Sequence, residues 1–395
     1  MHKSSFWWVI TGVSLGFSGL MLYVPLAIQK ISLLNSGTLA ATLVVAINLG
    51  RICSSLGLSQ LTLQGNRRLL IGMILLEGIS VFAMRVFESA EWYIFCGFLG
   101  GLAGGISYPT IKELVSRIPF HTPAYRFAGL QFAVYVGDIV GALAGGIIGV
   151  NSLNKIFALV PCLFVGYGFC VSMATKDKAL ISSTKQKVGD SVSSSVISKE
   201  TPRNENLEIK IFMLTCGAFW FLAGQHIAGF SLHIVKYVPS LSAATPFWIG
   251  GLFAVLFQFA LAQKLHRVNI RTSIFLSFVL LTAGFSMLIL NKSSGLVIIS
   301  ILCITLAEMI FIPSFDAFIS TASGRNPGKL LSTQYLLQQV GRMTGIFFGG
   351  FLFDLAAAAG FFWLNWAIAG LLAGIFSISI YYFAIRPSFK ILEAN

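Results

Sequence analysis

Six ionisable side chains fall inside long apolar stretches of this 395-residue chain: Arg51, Glu77, Asp138, Glu308, Asp316 and Arg342. Charge in a lipid-like interior is costly, so each is a functional candidate by default. A carboxyl taken out of water is harder to ionise, and it can take up and release a proton near neutral pH. Glu308, alone at the centre of its apolar run, is the first candidate for that chemistry. The competing roles are a structural ion pair, a hydrogen-bonded acid and a direct grip on a cationic solute. Asp138 lies within a glycine-rich run and is expected to pair with another part of the chain rather than to touch a solute. Asp138, Glu77 and Asp354 are the candidate partners of Arg51 and Arg342, and the sequence does not assign them. Glu77 reads as a local polar contact.

Other chemistries find no footing. There is no HExxH, no glycine-rich phosphate loop and no nucleophile elbow, and Ser107 and His121 stand alone. No cofactor, catalytic residue or metal site is expected, and the chain does not read as an enzyme. Cys53, Cys96, Cys162, Cys170, Cys216 and Cys303 sit in apolar runs without a CxxC pair and read as small buried hydrophobes.

The elements that hold the charges must be membrane helices. The chain is 56% apolar and only 10% charged, where a soluble chain carries about 25% charged residues. Twelve runs approach the roughly 20 apolar residues that a spanning helix needs. The first six are Phe6–Ile28, Leu39–Leu63, Leu69–Phe87, Trp92–Val115, Phe127–Val150 and Ile156–Ala174. The second six are Ile211–Val235, Leu241–Gln263, Thr272–Leu290, Leu296–Ser323, Leu330–Ala359 and Phe361–Ala384. Between them the Ser-, Lys- and Glu-rich segment Thr175–Glu208 reads as a flexible linker. The expected organisation is a bundle over 1–174, the linker, and a second bundle over 209–395.

An even number of spans puts both termini on one side. Of the 27 Lys and Arg residues, Arg51 and Arg342 lie within spans and five (Lys30, Arg85, Lys155, Lys236 and Lys292) face the side opposite the termini, which leaves 20 on the terminus side. That bias predicts cytoplasmic termini. It also accounts for the net charge of +13 without a nucleic-acid partner.

The second half repeats the first at an offset of 204. Arg67 maps to Arg271, Pro109 to Pro313 and Ser116 to Ser320. Gly137, Gly141, Gly145 and Gly146 map to Gly341, Gly345, Gly349 and Gly350, while Asp138 maps to Arg342 and Lys112 to Asp316. Glycines four apart let another backbone approach closely. The stripes are expected either at the interface between halves, bending as they move, or in static packing. A large residue at Gly141 or Gly345 is expected to push helices apart. Duplicated six-helix units with a site between them are a transporter architecture.

The run Gly137-Asp138-Ile139-Val140-Gly141-Ala142-Leu143-Ala144-Gly145-Gly146 resembles the fifth-helix motif of antiporters in the major facilitator superfamily, with Ala142 where that motif has proline. The loop Leu58–Arg68 resembles the family's Gly-x-x-x-Asp-Arg-x-Gly-Arg signature, with Thr62 at the Asp position and Gly65 and Arg67 kept; His266 holds that Asp position in the second half. Gly97-Phe98-Leu99-Gly100-Gly101 resembles the family's Arg-x-x-Gln-Gly motif, with Gly97 in place of arginine. The resemblance implies an all-α, twelve-helix protein in which helices one, four, seven and ten line a central cavity. Glu308, Tyr108, Gln225 and His226 are then on cavity helices. His233 reads as interfacial, near the outer end.

The resemblance also implies that Lys112 and Asp316 meet when access from the terminus side closes. Such a gate pair is expected to be partly hydrated and worth about 1 kcal/mol. The function expected is secondary active transport across the inner membrane. Proton-coupled export of a drug-like compound or siderophore leads; uptake or uncoupled facilitation is the alternative, and a membrane sensor trails. The expected partners are a small-molecule substrate, protons and the bilayer, around a monomer.

Overall fold

The computed structural model describes residues 2–34, 37–58, 67–149, 152–176, 202–241, 245–265, 267–290, 293–322, 327–361 and 363–382. The linker residues 177–201, the loop positions Thr62 and Gly65, and His266 lie outside the described residues.

Apolar segments in lipid must satisfy every backbone group internally, which a helix does alone. The described residues form α1 (His2–Leu34), α2 (Gly37–Leu58), α3 (Arg67–Ala83), α4 (Ala90–Arg117), α5 (Pro123–Ile148) and α6 (Leu153–Ala174). They continue as α7 (Pro202–Tyr237), α8 (Thr245–Leu265), α9 (Ile270–Leu290), α10 (Ser294–Ala322), α11 (Pro327–Ala358) and α12 (Leu364–Ile380). Seven of these are, taken singly, long and apolar enough to cross a membrane. Local chemistry sets some ends. Ser89 Oγ accepts from the Trp92 amide at the start of α4, and Thr122 Oγ1 accepts from the Tyr125 amide ahead of Pro123.

Two large apolar cores form, one from α1–α6 and one from α7–α12. The repeat is visible in the pairings: α1 against α5 matches α7 against α11, α3 against α6 matches α9 against α12, and α2 against α4 matches α8 against α10. Contacts between halves follow the same pseudo-two-fold. The α5–α8 pairing mirrors α11–α2, and α5–α10 mirrors α11–α4. A small cluster of Tyr135, Ala254 and Met309 fills the seam where α5 meets α8 and α10.

Two expectations of burial need correcting. Cys53 and Cys162 are exposed rather than buried; they lie on outward-facing stretches of helices whose apolar surface needs no protein cover in lipid. His233 is fully buried, and its Nδ1 accepts from Trp366 Nε1 at 3.0 Å, so it belongs to the core of the second half rather than to the membrane surface.

Candidate functional site

The glycine runs lie inside each half and not between the halves. A Cβ on Gly137 would stand 2.7 Å from the Ser14 carbonyl oxygen, and one on Gly145 would stand 3.0 Å from that of Leu22; Gly141 abuts the Ser18 carbonyl just as closely. Gly341 and Gly345 abut the Gly217 and Phe221 carbonyls, and a Cβ on Gly349 would stand 3.1 Å from that of Gln225. The stripes therefore seat α5 on α1 and α11 on α7. Gly146 and Gly350 face open space within 4 Å and take no part. Ser14, Ser18 and Leu22 answer to Gly217, Phe221 and Gln225, an offset of 203 and not 204. The repeat thus slips by one residue between its first and fifth helices.

This packing fixes the charged side chains. Arg342 follows Gly341, and its own carbonyl lies 2.5 Å from where a Cβ on Gly224 would be, so α7 and α11 touch at the arginine. Its guanidinium carbon stands 5.9 Å from the Trp220 ring centre. Arg51 is held by α2 pressing onto α4: Gly101 abuts the Ile47 carbonyl, and a Cβ on Gly105 would lie 2.7 Å from Arg51 Cα. The glycine-rich run that begins at Gly97 is thus a packing surface for α2, with Leu43 against Gly97.

Glu308 joins the two halves. Its Oε2 accepts from the Tyr135 hydroxyl of α5 at 3.2 Å, and its Oε1 stands 3.9 Å from His226 Nε2 of α7. Arg342 and Asp138 both act on it or on each other electrostatically. The 204 counterpart of Glu308 is Gly104, and Glu77 reaches into the space that glycine leaves, its Oε1 3.0 Å from the missing Cβ. Arg51 is the charge acting on Glu77. The first half therefore sets Arg51 in reach of Glu77, and the second sets Arg342 in reach of its own Glu308 and of Asp138 from the first. Asp354 is not among the charges acting on either arginine. Gln225 is buried with its Nε2 unpartnered, and one Asp138 oxygen is buried without a donor.

Residues of the two halves meet on the terminus side. Odd-numbered helices start there and even-numbered ones end there, which places the late residues of α4, α8 and α10 and the early ones of α1, α5 and α11 on that side. Lys112 Nζ lies 2.9 Å and 3.0 Å from the two Asp316 oxygens, with the side chains only 1% and 2% exposed. Gln334 Nε2 of α11 also donates to Asp316. Tyr108 lies beneath the ammonium, 5.6 Å from ring centre to nitrogen, and meets Tyr335 at 5.5 Å. The expected partial hydration of the pair is thus corrected: rings and the Gln334 amide exclude water from it. On the same side of the membrane, Phe259 of α8 wedges among Trp7, Tyr125 and Phe132, at 6.3, 5.2 and 4.9 Å. Toward the opposite face, Ile139 packs on Gly251.

Sequence reasoning missed Tyr135, Gln334, Tyr335 and Phe259. One signal was available: Gln334, Gln338 and Arg342 recur every four residues, a polar stripe on one face of α11. Nothing in the sequence pointed to the Phe259 wedge.

The family model of the Major Facilitator Superfamily matches residues 6–346. The human organic anion transporter MFSD10 (TETRAN) shares the fold, with a TM-score of 0.75 at 14% identity over 96% of this chain and 99% of that one. So does a bacterial homologue of the iron transporter ferroportin in its outward-facing state, with a TM-score of 0.70 at 11% identity over 96% of this chain and 98% of that one. The comparison with curated proteins finds no match. Twelve helices among the described residues, in a duplicated arrangement, and a family match over most of the chain lead to one conclusion: the protein belongs to the Major Facilitator Superfamily and is a multi-pass membrane secondary transporter, not an enzyme.

Proposed function

We propose that the chain couples proton movement to transport of a small organic solute by alternating access, with Glu308 as the coupling carboxyl. It would work in the inner membrane with both termini cytoplasmic, as the positive-charge bias suggests. The observation that carries the coupling role is the position of Glu308, hydrogen-bonded to Tyr135 of one half and 3.9 Å from His226 of the other. A carboxyl that bridges the seam changes its partners whenever the halves part, so its proton is tied to the conformational step.

Export of a drug-like compound or siderophore is supported by the antiporter-like fifth-helix run. That run's packing on α1 has an equal twin on α7, however, and gives no direction by itself. Uptake is the second reading. It is favoured by Arg51, near Glu77, and Arg342, near Glu308 and Asp138, each of which would hold an anion better once its carboxyl is neutral.

The test uses the full chain in vesicles with an imposed proton gradient and a library of labelled metabolites. Uphill movement of at least one solute, lost when a protonophore collapses the gradient, is the expected result. Movement unaffected by the protonophore would mean uncoupled facilitation and would sink the coupling role. In Tyr135→Phe the same assay is expected to show an uphill rate about tenfold or more slower, because a hydrogen bond to an ionised group contributes about 1.5–3 kcal/mol. An unchanged rate would mean that the Tyr135 contact is incidental.

A further inference from the structure

Arg51 and Arg342 come from different halves, on α2 and α11, which pack against each other. Among the described residues neither guanidinium lies within 4.0 Å of a carboxylate oxygen or donates a hydrogen bond to the protein, and Arg51 Nε is buried without an acceptor. Arg51 acts on Arg342 as a like charge. Both arginines are partly exposed at the seam, and satisfying their unused donors is a task left to the protein's other polar groups, to water or to a ligand. The groups around them leave that task undone. Asp138 and Glu308 face Arg342 without pairing to it, and Tyr335 acts on both arginines. Guanidinium forks bind carboxylate and phosphate oxygens in two parallel bonds, a geometry that a lone ammonium lacks.

We infer that Arg51 and Arg342 together form the grip for an anionic group on the transported solute, one arginine from each half. The site rests on the transport reading only for the idea that the solute passes along the seam. Because each half contributes one arginine, a bound anion links the halves, and parting the seam on either side loosens it. The charges facing Arg342 are Arg51, Asp138 and Glu308, with Tyr335 and His226 as the remaining titratable neighbours. Arg51 adds Glu77, Tyr23 and Tyr108. Ionised Asp138, Glu308 and Glu77 compete with an incoming anion for the arginines, and a protonated His226 would assist it. Anion affinity should therefore rise as pH falls, which is the sense of proton–anion symport.

The experiment measures thermal unfolding of the purified full chain against aliphatic carboxylates, benzoate and inorganic phosphate. Benzamide, acetamide and tetraethylammonium serve as uncharged and cationic controls at equal ionic strength. Expected are a saturable stabilisation by at least one anion and none by the controls, with affinity about tenfold or more weaker in R51Q and in R342Q. R342K and R51K keep the charge but lose the fork, and should weaken binding less than the Gln variants; they serve as well if a Gln variant fails to fold. Stabilisation by tetraethylammonium instead, by no anion, or by an anion equally in all variants would overturn the site. Anion binding lost in the arginine variants, alongside vesicles that move no protons with solute, would keep the site and remove the coupling. Coupled movement of a cation would do the reverse.

Discussion

Lys112→Ala is expected to tip the protein heavily toward the state open on the terminus side. Removing the ammonium leaves Asp316 buried with Gln334 as its remaining donor. Breaking one partner of a buried pair costs about 3–5 kcal/mol. The cost falls on the closed state alone, because opening that side lets water reach Asp316. At 1.4 kcal/mol per tenfold, the population should shift by roughly a hundredfold or more. Asp316→Ala should act alike, stranding a lysine. The exchange of Lys112→Asp with Asp316→Lys should recover much of the balance, since the Gln334 oxygen is buried without a donor and can turn toward an ammonium at that position. Recovery should stay incomplete, because the Tyr108 ring lies under the ammonium only in the native arrangement. Labelling of a cysteine placed on the terminus side of the cavity reads the bias. Equal labelling in the parent, the single variants and the exchanged variant would mean that the pair holds nothing shut.

Gly345→Ala should destabilise the fold by about 1–3 kcal/mol or more, whereas Gly350→Ala should not. The first would drive a methyl into the Phe221 carbonyl, and backbone cannot move aside as a side chain can. The second meets nothing within 4 Å and gains the better helix propensity of alanine, worth up to about 1 kcal/mol. The first half offers the same contrast in Gly141→Ala, against the Ser18 carbonyl, and Gly146→Ala, in open space. Thermal unfolding of the four purified variants decides it. Equal behaviour within each pair would mean that α5 and α11 do not sit on α1 and α7 this closely.

These two predictions mark what the sequence could and could not tell. Helix number and order were legible because a span needs an uninterrupted apolar run, and the repeat because positions from Arg67 to Gly146 keep one offset of 204. The meeting of Lys112 with Asp316 was legible for a further reason. Residues related by a two-fold and close to its axis meet their own counterparts, and these two are 204 apart. Their dryness was not legible, since it depends on Tyr108, Tyr335 and Gln334 arriving from two helices. The glycine stripes were legible as close contacts, but not the partner helix, because spacing on one helix says nothing about which neighbour fills the groove. Tyr135 as the partner of Glu308 was invisible for the same reason. The two lie 173 residues apart and share no repeat position.

The central claim is that Glu308 ties a proton to the movement of the halves. Its most direct test compares two modes of transport in the same vesicles holding the full chain: accumulation of a labelled solute under a proton gradient, and exchange of labelled for unlabelled solute at equal pH. The solute is one whose distribution in cells changes when the chain is deleted. Wild type should do both. Glu308→Gln should still exchange, since the fold and the arginines remain, but should no longer accumulate solute against its gradient. Accumulation by Glu308→Gln as steep as that of wild type, with the same pH dependence, would contradict the account.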